Sequence, residues 1–381
     1  MTADPVGGVW RYAMELCTAL QPYRVQVMLA TLGVELSPQQ RAEVSQLANV
    51  ELRESRYRLE WMASPWDSLD EAAEWLYSLE REFSPALIHL NHLVHADMLW
   101  RAPVLSVGHS CVLSWWNAVH GSSPTGWSRY RDEVRRSLHA ANLIVAPTRA
   151  MLRSLQAHYG PLVRCEVIPN GLDPLPFRSA AKEPLILSAG RLWDAGKNVA
   201  ALCRIADAVE WPIVVAGPAT SPDGESQVIY GARHIGALAP SVLAEWYARA
   251  SIYALPARYE PFGLTVLEAA LSGCALVLGD LESLREVWGD AARYVAPGDT
   301  AALRDTLRDL IAHPDALNTL GTHAQARARS YGAQQMAARY WNTYWTLSAA
   351  SLTAAESPAF HRSPSHTKDD TPCASYSSIT R

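Results

Sequence analysis

The chain reads as an α/β protein made of two doubly wound parallel sheets, one following the other. Three observations carry that reading. Short apolar runs of strand length alternate with segments of helical period through most of the sequence, the order that a parallel sheet with crossover helices requires. At 381 residues, the chain is longer than one hydrophobic core comfortably holds and suits two domains. Between the two sets of runs lies Val167-Ile-Pro-Asn-Gly-Leu-Asp173, followed by Pro174 and Pro176. An Asn-Gly turn among prolines ends one sheet and begins a linker.

The first glycine pair, Gly7-Gly8, opens an amphipathic helix running to about Leu20. Such a turn brings backbone N–H groups close to a ligand, or simply reverses the chain. Only Met1 to Asp4 lie ahead of it, too few for a full first strand, so the expectation is an N-terminal domain whose first strand is truncated and whose coding region begins further upstream. Strands are then predicted over 25–31, 50–53, 86–91, 104–109 and 143–147. The segment Ile88-His-Leu-Asn91-His-Leu-Val-His95 is rich in histidine but lacks a third ligand type at a known metal spacing, which leaves polar caps and a helix start. Residues 114–127, with Trp115 and Trp116, form a loop rich in Gly, Ser and aromatic side chains; tryptophans in such a place stack on sugars or cover a core edge. From Trp127 to Arg164 seven arginines face only Asp132 and Glu133, spread around the helical positions instead of along one stripe.

In the second half a strand over 184–190 leads into Arg191-Leu-Trp-Asp-Ala-Gly196-Lys197-Asn198. Two cations, one at a strand end and one at a helix start, with glycines for backbone access, make a clamp for a pyrophosphate. A P-loop is excluded by spacing and by Asn198, which stands where Ser or Thr belongs. A strand over 212–217, the segment His234-Ile235-Gly236-Ala-Leu238 and a helix over 242–250 follow. The apolar run Ala250–Leu255 then precedes Arg258-Tyr-Glu-Pro-Phe-Gly-Leu-Thr-Val-Leu-Glu-Ala-Ala-Leu-Ser-Gly273. Here Glu260 lies in the loop at the carboxyl end of a strand and Glu268 one turn inside the next helix. The N–H groups of Phe262, Gly263 and Leu264 point into the crevice where ligands of open parallel sheets bind. Ala275–Gly279 is a further strand, and helical patterns over 300–313 and 315–347 close the fold.

Composition bounds the function. With 49% hydrophobic and 19% charged residues the chain is globular, and no apolar run approaches the roughly 18 residues that span a bilayer. The net charge of −5 argues against nucleic acid as a partner. Six cysteines without Cys-x-x-Cys spacing read as reduced core residues of a cytoplasmic protein with no metal site.

The segments Glu-Pro-Phe-Gly-Leu and Glu-Ala-Ala-x-Ser-Gly together resemble the signature of the retaining nucleotide-sugar glycosyltransferases of family GT4. The resemblance covers roughly residues 5–347. It implies a GT-B fold: two Rossmann-like domains facing each other across a cleft, over 1–168 (acceptor side) and 169–330 (donor side), and a helix over 331–349 crossing back to the first domain; beyond it, 350–381 is rich in Ser, Thr and Pro without periodicity and reads as a disordered tail. It further implies that Glu260 holds sugar hydroxyls and acts in catalysis with His109, whose segment Val107-Gly-His109 matches the one facing the donor sugar. Arg191 and Lys197, with Gly8, hold the donor phosphates. Phe262, Gly263 and Leu264 line the donor sugar and Glu268 binds the ribose. Ile235, Gly236 and Leu238 lie against the base, and Asn91, Trp115 and Trp116 on the acceptor side. The implied activity is transfer of a hexose from a nucleotide-diphosphate sugar to an acceptor hydroxyl, without metal or other cofactor. Family members often work at anionic membrane surfaces, a contact that 127–164 offers here. The alternatives are a turnover-deficient nucleotide-sugar-binding or scaffold protein, and a GT-B epimerase or glucan synthase.

Overall fold

The computed structural model describes residues 1–221, 224 and 226–356. Its strands, all in parallel pairs, are β1 (Thr2–Ala3), β2 (Val27–Thr31), β3 (Val50–Glu54), β4 (Ile88–Leu90), β5 (Val104–Val107), β6 (Leu143–Ala146) and β7 (Cys165–Val167) in the first half. The second half holds β8 (Glu183–Ala189), β9 (Ile213–Ala216), β10 (Arg233–His234), β11 (Ala250–Leu255), β12 (Ala275–Gly279) and β13 (Arg293–Val295). Strands β2, β11 and β12 are buried along their whole length. That is why they read as unbroken apolar runs: helices cover both faces of the sheet, so no face is left to be polar.

The second half is one sheet of order β10-β9-β8-β11-β12-β13. The first half comprises β1-β2-β3 and β4-β5-β6-β7, which meet where β1 and β4 lie side by side. Asn91 ties them together, its N–H donating to Thr2 Oγ1 and its Nδ2 to Thr2 O. The first strand is therefore present, as two residues, and Met1 extends it by donating its amino group to Met28 O. Ahead of it an apolar cavity of about 410 Å³ separates β2 from β4, lined by Met28, Leu79, Phe83, Ile88, Trp100 and Trp341 among others.

Three expectations need correction. Residues 91–98 form turns and no helix, because Asn91, His92 and His95 spend their polar groups inside the fold. The stretch around Trp115 and Trp116 is a helix, Val112–His120, which Leu113 anchors in the core and Gly121 ends in the left-handed conformation. The final helix, Ala333–Glu356, runs past residue 350, since Ala350-Ser-Leu-Thr-Ala-Ala-Glu356 contains no breaker and three good helix formers in Ala. The rest of the expected tail lies outside the described residues.

The chain crosses between the halves twice, at the linker and just before the last helix, and the two crossings touch. Leu172 N–H donates to Tyr331 O and Ala333 N–H to Leu172 O. A Cβ on Gly171 would sit 2.3 Å from Gly332 O, so only glycine allows this approach. Beyond it, Ala333, Met336, Ala337, Tyr340 and Tyr344 of the last helix are buried in the core of the first half, against Tyr12, Leu16 and Leu20. The crossing helix is thus part of the N-terminal core.

Candidate active site

Loops that follow strands of the two halves meet, and several of the side chains singled out from sequence gather there. After β8, Arg191 turns back toward the first half, so that a Cβ on Gly7 would lie 3.1 Å from Arg191 Nη1. Gly8 begins the helix Gly8–Ala19 beside Leu264. Gly7 has φ +79°, a left-handed conformation that favours glycine. Lys197 closes a short 3₁₀ turn whose entry is Asp194, with Asp194 Oδ1 accepting from Gly196 N–H at 2.8 Å.

Both cations are paired. Lys197 Nζ lies 2.5 Å from Glu260 Oε2, and Arg191 Nη2 lies 3.0 Å from Asp194 Oδ2. The residue expected to hold the sugar and the residue expected to hold a phosphate are therefore neighbours. Glu260 itself is buried. Gly263, with φ +92°, turns the chain into the helix Leu264–Leu271, whose first N–H groups have no acceptor within the helix. Phe262 buries its ring against Tyr331, while Leu264 packs against the cores of both halves. Glu268, inside this helix, has its carboxyl pushed up by burial, opposed by Arg11, whose Nε stands 4.0 Å away. Arg11 belongs to the first half, and an ion pair with Glu15 orients it.

On the facing side His109 Nε2 lies 2.8 Å from Asn91 Oδ1, and the ring meets Tyr12 edge-on at 4.4 Å. Burial lowers its pKa to about 3, so the ring is neutral. Asn91 is buried and its amide is fully engaged: Nδ2 with Thr2, and Oδ1 with both His89 and His109. The structure brings Asn91 to the site as the support of His109. Trp116 packs against His120, their ring centroids 4.3 Å apart. Ile235 and Leu238 are half-buried against the second core, and Gly236 accepts from Gly217 N–H.

Several contacts that sequence reasoning missed close the cleft. Trp115 Nε1 donates to Asp194 Oδ1 at 2.8 Å across it. Although burial works against its charge, Arg191, Lys197 and that indole N–H hold Asp194 below the usual carboxylate range. Cys111 N–H donates to the hydroxyl of Tyr259, the neighbour of Glu260, and Thr148 Oγ1 donates to Pro261 O. Glu286 accepts from the N–H groups of Arg149 and Ala150, the first residues of the helix Arg149–Tyr159. Of the seven arginines over 129–164, Arg149 and Arg153 pair with Glu286 and Glu282 of the second half, and Arg136 with Asp97 and Glu133. Part of that basic segment is thus a contact between the halves. Asp194 left a signal in the sequence, an Asp ahead of a Gly-Lys turn; the others left none. No helix among the described residues is long and apolar enough to cross a membrane, and no group of three or more metal-ligating side chains occurs among them.

Two family patterns match the chain: Glycosyltransferase Family 4 over residues 6–174 and Glycosyl transferases group 1 over residues 183–313. A glycogen synthase of Mycobacterium tuberculosis is 26% identical over 306 residues, covering 73% of this chain and 70% of that protein. A D-inositol 3-phosphate glycosyltransferase of Nocardia farcinica is 26% identical over 360 residues, covering 81% and 80%. Among solved structures, a sucrose-phosphate synthase of Thermosynechococcus elongatus superimposes with a TM-score of 0.75 at 18% identity, covering 92% of this chain and 99% of its own. Anabaena HepE, solved in complex with UDP and glucose, superimposes with a TM-score of 0.70 at 16% identity, covering 91% and 99%. These structural likenesses are likenesses of fold, and the fold is GT-B.

Proposed function

The chain belongs to the family 4, group 1 glycosyltransferases, and from that premise we propose that it moves a hexose from a nucleoside-diphosphate donor to an acceptor hydroxyl with retention of anomeric configuration. The observation that carries this reading is the contact of Lys197 with Glu260, with Arg191 on the same edge. It sets a carboxylate suited to sugar hydroxyls directly beside cations suited to the departing phosphate. Glu268, farther along the helix from Leu264, is left for the ribose hydroxyls.

In this reading the donor phosphates displace Glu260 from Lys197 and Asp194 from Arg191, exchanging one anion for another. As the bond from the anomeric carbon to the phosphate oxygen breaks, its electron pair goes to the phosphate. Arg191, Lys197 and the N-terminus of the helix Leu264–Leu271 stabilise the charge that develops there. Glu260, released from Lys197, accepts hydrogen bonds from ring hydroxyls as the sugar becomes oxocarbenium-like. The acceptor oxygen attacks from the face the phosphate is leaving and passes its proton to the phosphate oxygen, so no covalent nucleophile is needed. Neutral His109, held by Asn91, faces the same sugar. With two cations on the phosphates, the reaction is proposed to run without a metal ion.

The test is incubation with UDP-, GDP- and ADP-hexoses in the presence of a chelator, following nucleotide release and the anomer first formed by proton NMR. Slow hydrolysis of at least one donor, giving first the anomer of the donor itself, is expected. Release of the opposite anomer would overturn retention, and dependence on added metal would overturn the metal-free reading. No turnover of any donor, with or without an added acceptor panel, would overturn the hexosyl assignment.

A further inference from the structure

Resting on the hexosyltransferase reading, we infer that the recess between loop 60–67 and segment 126–130 of the first half is the acceptor site and takes a neutral saccharide unit. The recess has a volume of about 470 Å³, within the range of small-molecule pockets, and Trp61, Trp66, Trp127 and Tyr130 line it together with Glu60 and Arg129. It contains none of the residues assigned to the donor.

Its walls are fastened to the donor cleft at two points. Trp61 Nε1 donates to Asp4 Oδ2 at 3.2 Å, and Asp4 Oδ1 accepts from Val6 N–H, next to the glycine that lies against Arg191. On the other side Val112 N–H donates to the hydroxyl of Tyr130 at 3.2 Å. The preceding N–H, that of Cys111, donates to the hydroxyl of Tyr259, the neighbour of Glu260. A molecule in the recess is thus held by elements that touch the phosphate clamp and the sugar carboxylate.

The lining chooses the chemistry. A pyranose ring has an apolar C–H face that stacks on indole and a rim of hydroxyls that need buried partners. Three indoles supply the first. For the second the lining holds Glu60: it is buried, its Oε1 accepts from Leu93 N–H at 3.0 Å, and its Oε2, closed to water here, has no partner among the described residues and meets a hydroxyl by turning toward the recess. Burial pushes this carboxyl up, toward a form that donates as well as accepts. A phosphorylated ligand fits poorly. The one cation of the lining, Arg129, already lies over the Trp66 ring at 4.5 Å, and Glu60 and Asp67 outnumber it.

Binding is read without any donor, by calorimetric titration of the full chain with maltotriose, α-mannotriose, lactose and myo-inositol 1-phosphate. At least one neutral saccharide should bind, with affinity lowered tenfold or more in Trp66→Ala and Trp127→Ala and less than threefold in Trp66→Phe. The inference is overturned if none of the three neutral saccharides binds, if only the inositol phosphate does, or if the alanine variants bind unchanged. Should Trp66→Ala not fold, saturation-transfer NMR of the wild type decides, since magnetisation must then pass from indole protons to the bound saccharide. Failure here would leave the hexosyltransferase reading standing. A saccharide bound by a protein that turns over no sugar nucleotide would sink that reading alone.

Discussion

Glu260 and Glu268 share one motif but occupy different electrostatic surroundings, and those surroundings predict different behaviour. Glu260 neutralises Lys197 at 2.5 Å, so Glu260→Ala frees a cation for the phosphates. Affinity for the nucleoside diphosphate should then be unchanged or tighter, while turnover falls about a hundredfold or more through loss of a contact strengthened in the transition state. Glu268 is buried with Arg11 as its nearest cation. Its change to Ala should weaken nucleoside diphosphate and sugar nucleotide alike, by roughly 1.5–3 kcal/mol for charged hydrogen bonds, which is about ten- to 150-fold. Calorimetric titration of both variants beside their rates checks this. Comparable loss of nucleotide affinity in the two variants would mean that the donor does not lie along this helix as proposed. The pairing of the two acids with this fold was legible in the sequence, from their spacing around a strand end and a helix start. The partner of each was not, because Lys197 and Arg11 lie 63 and 257 positions away and no periodicity links them.

At the scale of the element, the end of β4 carries a hydrogen-bond relay that neutral histidines satisfy throughout. Thr2 Oγ1 accepts from Asn91 N–H and, with the His92 ring neutral and donating through Nε2, gives its own proton to His92 Nδ1. His92 Nε2–H then donates to His95 Nδ1, and His95 Nε2–H to Leu69 O. In the second branch Asn91 Oδ1 accepts from Nε2–H of both His89 and His109, which leaves His89 Nδ1 to accept from Tyr344 of the crossing helix. Burial lowers the pKa of all four rings. The sign follows: below pH 6.5 the unfolded chain binds protons that the folded chain refuses, so stability present above pH 6.5 is lost as the pH falls. Each ring contributes up to about 1.4 kcal/mol per pH unit over that window. Melting temperature should fall steeply from pH 7 to pH 5, and less steeply in His92→Gln. Parallel curves for the two proteins would show that the relay does not titrate with unfolding. Sequence reading saw the histidines, declined a metal site and expected caps and a helix. The relay escaped it because its partners come from β1 and from the last helix.

Across the whole molecule, polar contacts span the cleft between the halves, beside the crossing helix and Leu264, which packs against both cores. Among them, Trp115 donates to Asp194, the partner of Arg191. Removing its N–H in Trp115→Phe keeps the ring but deletes a hydrogen bond to a charged group, worth about 1.5–3 kcal/mol of the closed form. Catalytic efficiency with the sugar nucleotide should drop about tenfold or more, with the melting temperature within a few degrees of wild type. Steady-state rates and a thermal melt together provide the check. An unchanged kcat/KM would show that closure does not depend on this bond.

What the sequence determined by itself is what short-range chemistry dictates. Apolar runs buried on both faces announced parallel strands, and prolines and an Asn-Gly turn announced the linker. Residues 114–120 failed this reading because two tryptophans and a serine look like loop until Leu113 is seen anchored in the core. Tertiary structure alone decided which groups meet across the cleft: Trp115 with Asp194, 79 positions apart, and Cys111 with Tyr259, 148 apart. It also decided that Asn91 serves His109, and that Glu60 lies in a recess of indoles. Each of these depends on where strands and loops far apart in sequence come to lie, and the energy of such a contact is a property of the pair, invisible in either segment alone.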